Sequence, residues 1–284
     1  MSRTALFSRK QAGGVFTISD FVDHPGSIFF VHSGTGTNSV SAGVNPDAPL
    51  ATLDYAIGLC TASKGDVIYV MPGHAESYGT GAGFAADVAG VKIVGLGEGA
   101  TRPTFTFAHA LAACTIGASS VTIENIRFVA GITAVAAALT ITAAFTDTTI
   151  RNCEFYYGGT TAWDFVLSIV NNAACNRTTI ENCKFLAEEG TAGAASAVKL
   201  VGASEYVTVK NCTFLGDYSV ACLNGITVLS NGLLFLDNVV HNLDAGEPYL
   251  EVLTGTTGVI ANTRGLASGA TIAANAVADA MAHC

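Results

Sequence analysis

One short phrase recurs along the second half of this chain and restricts its possible folds more than any other feature. It reads Val-Thr-Ile-Glu-Asn-Ile-Arg-Phe at 121–128 and Thr-Thr-Ile-Arg-Asn-Cys-Glu-Phe at 148–155. It returns as Thr-Thr-Ile-Glu-Asn-Cys-Lys-Phe at 178–185 and Val-Thr-Val-Lys-Asn-Cys-Thr-Phe at 207–214, with weaker copies at 233–241 and 259–263. Its asparagines are Asn125, Asn152, Asn182, Asn211, Asn238 and Asn262, separated by 27, 30, 29, 27 and 24 residues. A period in this range marks a solenoid, in which each repeat is one turn stacked on the next.

Each phrase reads as strand, bend, strand. Val121 and Ile123 alternate with Thr122 and Glu124, the period-2 pattern of a half-buried strand. The alternation slips at Asn125, and Ile126 and Phe128 form the next inward pair. Asparagine tolerates left-handed backbone better than most residues, so it suits a one-residue corner. A further strand is expected in each repeat, at Ala138–Thr142, Phe165–Val170, Val198–Val201, Gly225–Leu229 and Leu250–Leu253. Three short parallel strands per turn, with no helix between them, predict an all-β fold, a single-stranded right-handed parallel β-helix.

Stacked turns place equivalent residues about 4.8 Å apart. The spacing predicts an aliphatic ladder of Ile123, Ile150, Ile180, Val209, Leu236 and Ile260. It predicts an aromatic ladder of Phe128, Phe155, Phe185 and Phe214, interrupted by His241. A third ladder, Ile126, Cys153, Cys183, Cys212 and Val239, treats the thiols as small buried hydrophobes. Outside, Glu124, Arg151, Glu181, Lys210 and Asp237 alternate in sign, as do Arg127, Glu154 and Lys184. Opposite charges on adjacent strands favour one register.

Composition narrows the class. Charged residues make up 12% of the chain and apolar ones 50%. Sparse charge on a solenoid, which has much surface for its length, implies that other subunits cover part of it. No apolar run is long enough for a membrane-spanning helix, and the first ten residues lack the hydrophobic stretch of a secretory signal. The eight cysteines show neither paired spacing nor a Cys-x-x-Cys zinc pattern, and they are read as reduced. A net charge of −9 argues against direct nucleic-acid binding.

Upstream, Ile28-Phe-Phe-Val-His reads as a strand, followed by a Gly/Ser/Asn-rich loop. Next comes Asn45-Pro-Asp-Ala-Pro-Leu-Ala-Thr-Leu-Asp-Tyr-Ala-Ile, in which Leu53, Ala56, Ile57 and Cys60 lie on one face of a short helix near 50–61. That helix is placed as a cap on the open end of the solenoid. Gly65-Asp-Val-Ile-Tyr-Val-Met-Pro-Gly-His and Val91-Lys-Ile-Val-Gly then begin the coils. The chain divides into an N-terminal arm at 1–27, the β-helix at 28–265, and a C-terminal tail or cap at 266–284.

This order of strand, Pro-x-Ala-Pro-x-Ala-Thr helix, Gly-Asp-x-Ile-Tyr-Val-x-Pro-Gly coil and Ile-x-Asn-x-x-Phe coils resembles the pectate-lyase-like superfamily. It resembles more closely the short β-helix proteins of tailed bacteriophages. The resemblance spans roughly 28–265 and implies the fold; its members include lyases, hydrolases, tail spikes and capsid decoration proteins. The lyases use calcium-binding acids with an Arg or Lys base.

No catalytic, cofactor-binding or metal-binding residue is assigned. An active site on this scaffold needs clustered outward acids, whereas the charge ladders alternate. Glu188 and Glu189 read as a solvated turn, and so does His74 beside Glu76. Arg3, Arg9 and Lys10 make a basic tip, either a docking arm for a partner or a frayed terminus. Tyr156, Tyr157 and Trp163 could stack on a sugar or pack between subunits. With the resemblance, these readings lead to an expected non-enzymatic bacteriophage virion protein, a capsid decoration (cement) protein. It would form a homotrimer and bind the major capsid protein on the capsid surface after assembly in the host cytoplasm. It would contact neither nucleic acid nor membrane. The alternative is a tail spike or related protein that binds or cleaves polysaccharide.

Overall fold

The computed structural model describes residues 26–159, 163–187, 193–244 and 246–265, together with the backbone of 8–11, 14–17 and 266–267. From Ile28–Val31 to Arg264–Ala267 the chain winds as a right-handed parallel β-solenoid of about seven turns. Three sheets run along it, of nine, eight and seven strands in the order each turn visits them. In one complete turn Thr122–Glu124 belongs to the first sheet, Arg127–Ala130 to the second and Val135–Ile141 to the third. Ser8–Gln11 and Gly14–Thr17 form a separate antiparallel pair. No helix among the described residues is long and apolar enough to cross a membrane.

The corner between the first and second sheets is left-handed in successive turns. Asn125, Asn152, Asn182, Asn211 and Asn262 have φ of 58, 54, 54, 53 and 51°. The fifth corner is Asp237, with φ 53°, and not Asn238. This one-residue shift corrects four ladders. Val209 pairs with Phe235, so Phe235 and not Leu236 continues the inward row, and Leu236 takes the outward place expected of Asp237. Asn238 and not Val239 follows Cys212 inside. Its Oδ1 accepts from Cys212 N at 2.9 Å and its Nδ2 donates to Val209 O at 3.0 Å, so the buried amide is satisfied. Val240 and not His241 follows Phe214. The volume lost there is filled from the first sheet by Phe235, whose ring centroid lies 6.0 Å from that of Phe214.

The aromatic ladder is otherwise as predicted. Ring centroids of Phe128, Phe155, Phe185 and Phe214 are 5.1, 4.9 and 4.8 Å apart in sequence, stacked within 15° of parallel. Cys153, Cys183 and Cys212 lie buried in one row, and all seven described cysteines are free thiols. The third-sheet strands differ in extent from their expected ranges. The fourth is Leu223–Gly225 and not Gly225–Leu229, because Leu223 and not Ile226 continues the inward row; Ile226 and Leu229 are exposed.

The capping helix is Leu53–Leu59, started by Thr52, whose hydroxyl accepts from Tyr55 N. Leu53, Ala56 and Ile57 are buried against the first coil. Below Phe105 the aromatic row ends in Glu76, whose Oε1 accepts the Leu53 N–H at 2.7 Å and whose Oε2 accepts from Tyr78 Oη at 3.4 Å. A carboxylate at a helix N-terminus satisfies a donor that the helix leaves open.

Candidate functional site, a polar groove at the asparagine corner

Between Gly95 and Thr104 the chain does not turn the corner in one residue. A loop containing the 3-10 turn Gly99–Thr101 rises there and places Glu98 and Arg102 beside the later corners. It forms one end of a groove of about 450 Å³ lined by Gly95, Glu98, Arg102, Glu124, Asn125, Asn152, Cys153, Glu154, Asn182 and Lys184.

Ion pairs brace the groove. Glu154 is buried and lies 2.9 Å from Arg102 Nη1, 2.8 Å from Arg127 Nη2 and 3.8 Å from Lys184 Nζ. Arg102, Arg127 and Lys184 stand on three other turns, so Glu154 ties four turns together. Glu124 lies 2.7 Å from Arg151 and 3.7 Å from Lys92, and Glu181 lies 2.8 Å from Lys210. The alternating ladders predicted from sequence therefore form these pairs.

The asparagine side chains divide into two kinds. Asn125 Nδ2 donates to Gly95 O at 2.8 Å and Gly97 O at 2.9 Å, closing the corner onto the raised loop. Asn152 and Asn182 are exposed, and their carboxamides make no hydrogen bond among the described residues. The groove lies within the regular part of the chain, where the raised loop walls off one end of it.

The sequence-predicted residues do not converge on this groove. Tyr156 lies on the outer face of the second sheet, its ring 5.4 Å from the Arg127 guanidinium carbon. Tyr157 is half-buried, its N–H bonded to Leu186 O. Trp163 packs on the backbone of Gly158, where an added Cβ would come within 2.5 Å of the indole. Among the described residues Trp163 makes no ring contact with either tyrosine. Arg3, Glu188 and Glu189 lie outside the described residues, as do the side chains of Arg9 and Lys10.

His74 corrects another expectation. It is 1% exposed and not solvated. Its Nδ1 accepts the Ser33 N–H at 3.0 Å, and its Nε2 lies 3.0 Å from Glu76 Oε1, close without the alignment of a full hydrogen bond. The strand Ile28–Val31 and the segment after it cover this residue, which local sequence alone did not reveal. Among the described residues no group of three or more His, Cys, Asp or Glu is arranged to hold a metal ion.

The fold and groove define a right-handed parallel β-solenoid with a polar, ion-paired corner. No protein-family model, curated protein or solved structure matches the chain.

Proposed function

We propose that this chain is a structural protein of a tailed-bacteriophage virion, a decoration protein that binds between major capsid subunits as a homotrimer. The observation that carries this reading is the ion-paired corner, where acids are matched to cations on neighbouring turns. Such pairing braces successive turns and suits a rod that bears load. Exposed pairs add only ~0.2–1 kcal/mol each, and a network holds register better than isolated pairs. The sparse charge and the exposed Ile226, Leu229, Val239 and Val259 near the last turns supply surface for protein contacts. The family resemblance of residues 28–265 supports the same reading.

A polysaccharide-cleaving tail spike is the second reading. Two carboxylates free to act across a sugar are its basic requirement, and here Glu124 and Glu154 direct their oxygens at lysine and arginine. Particles lacking the gene test the proposal. Loss of heat and osmotic resistance with intact host adsorption is expected. Normal head stability with lost adsorption would favour the tail spike.

A further inference from the structure

We propose that the two sheet faces flanking the asparagine corner are where copies of this chain meet. The first sheet of one copy packs on the second sheet of the next, each rung against the same rung, in a closed parallel ring. The inference rests on the homotrimer proposed above and deepens it by naming the surfaces in contact.

The residues on either side of each corner carry the argument. The last outward residue of the first sheet and the first outward residue of the second stand three positions apart on one rung. In chain order the couples are Glu124 with Arg127, Arg151 with Glu154, Glu181 with Lys184, Lys210 with Thr213, and Leu236 with Val239. The sign alternates along each sheet, as stacking within one chain favours. It also inverts across every corner that has a charge on both sides, which stacking within a sheet does not require. Among the described residues no ion pair joins the two members of a couple; the pairs that form run between turns. The match across the corner is unused within one chain.

Symmetry decides how a second copy can use it. A ring whose axis runs along the solenoid keeps equivalent rungs at equal height. First sheet on first sheet would then set Glu181 against Glu181, and like charges repel. First sheet on second sheet sets Glu181 against Lys184, Lys210 against the Thr213 hydroxyl, and Leu236 against Val239. A contact between two different faces is the kind that closes into a ring.

Exposure agrees with this arrangement. The Lys184 side chain is 58% exposed and its only ion pair, to Glu154, is long at 3.8 Å. Val239 is 44% exposed. Glu154 is enclosed by its own cations, so Glu181 with Lys184 carries more of the contact than Arg151 with Glu154. The raised loop closes the corner at Asn125. The rungs of Asn152, Asn182, Asn211 and Asp237 stay open over about 14 Å of stack. The three asparagine carboxamides there are exposed and make no hydrogen bond among the described residues. In the ring these corners turn towards the axis, where a carboxamide can donate to and accept from its own copies. Asp237 is the one acid on that edge, so its copies repel and Asp237→Asn should tighten the ring. The third sheet faces away from the axis and is left for capsid subunits.

The test mixes purified Glu181→Cys with a tagged Lys184→Cys, lets subunits exchange, and adds a short bismaleimide, with the wild type treated alike as background. A product joining tagged to untagged chain is expected, with little from either variant alone. Sedimentation should show a trimer. Lys184→Glu should raise its dissociation constant about tenfold or more with the thermal melt of the fold little changed. A trimer that Lys184→Glu leaves intact and that links no 181–184 pair overturns the proposed faces while the homotrimer stands. A monomer at millimolar concentration overturns both. An antiparallel pair of first sheets would also match Glu124, Arg151, Glu181 and Lys210 in sign. Cross-linking of Glu181→Cys to Arg151→Cys in place of Lys184→Cys, or weaker association in Asp237→Asn, therefore also overturns the proposal.

Discussion

The rings of Phe155 and Phe185 lie 4.9 Å apart and within 5° of parallel. That separation is the strand repeat itself, so the rings stack because the backbone stacks, and each one fills the space its neighbours leave. Phe185 is the middle rung, flanked by Phe155 and Phe214. Phe185→Ala should destabilise the protein by about 3–5 kcal/mol, read as a lower denaturant midpoint. A change below about 1 kcal/mol would mean that the ladder does not support the fold.

The corners make a separate prediction about backbone. Asn182 has φ 54° and no side-chain partner, so its fitness for the site lies in tolerating left-handed geometry. Asn182→Ala should cost about 1–2 kcal/mol, whereas Asn182→Gly should cost much less. Equal losses in the two variants would show that the amide, and not the backbone, sets the preference.

The buried thiols tie stability to pH. Burial, with Asp66 nearby, pushes the Cys60 thiol up to about 12. Burial likewise raises Cys114, Cys175, Cys183 and Cys222. An unfolded chain releases thiol protons above about pH 8.5 while the folded one retains them, so stability should fall as pH rises from there towards 12. At pH 8 a brief maleimide pulse analysed by mass spectrometry should leave the six buried cysteines unmodified in native protein and label them after denaturation. Rapid native labelling of Cys153, Cys183 or Cys212 would contradict the inward row.

Asp147 and Arg177 form a two-pronged pair between adjacent turns, at 2.7 and 2.8 Å. Hydrogen bonds from Arg177, then from Thr146, hold the Asp147 carboxyl down at about 2. Its contribution is present above the ordinary carboxylate value of 3.8 and is lost as pH falls from there towards about 2. In Arg177→Asn the carboxyl carbon resonance should titrate closer to the ordinary value. An unchanged titration would remove Arg177 as the cause.

How much of this was legible depended on whether a residue's chemistry advertises its backbone. Asn125, Asn152, Asn182 and Asn211 marked their corners because asparagine is one of few side chains suited to positive φ. At Asp237-Asn238 two such residues adjoin, and alignment on the asparagine misassigned the ladders by one place. Packing decides otherwise there, since Phe235 buries more apolar surface than Leu236 and the Asn238 amide finds two partners. A second left-handed position lies five residues before each of these corners, at Ser120, Asp147, Arg177, Tyr206 and Gly232. It was invisible because these side chains share nothing; the turn forces the geometry on whichever residue is there. The groove was hidden for a related reason, because it arises from the height of the loop carrying Glu98 and Arg102 and not from any motif.

The proposed role, a braced rod mounted on a virion head, is tested most directly by electron cryomicroscopy of purified particles. The account predicts three-fold clusters of solenoid density, resolved into rungs about 4.8 Å apart, seated between capsid subunits and missing from particles that lack the gene. Solenoid density confined to the tail, or none on the particle, would contradict it.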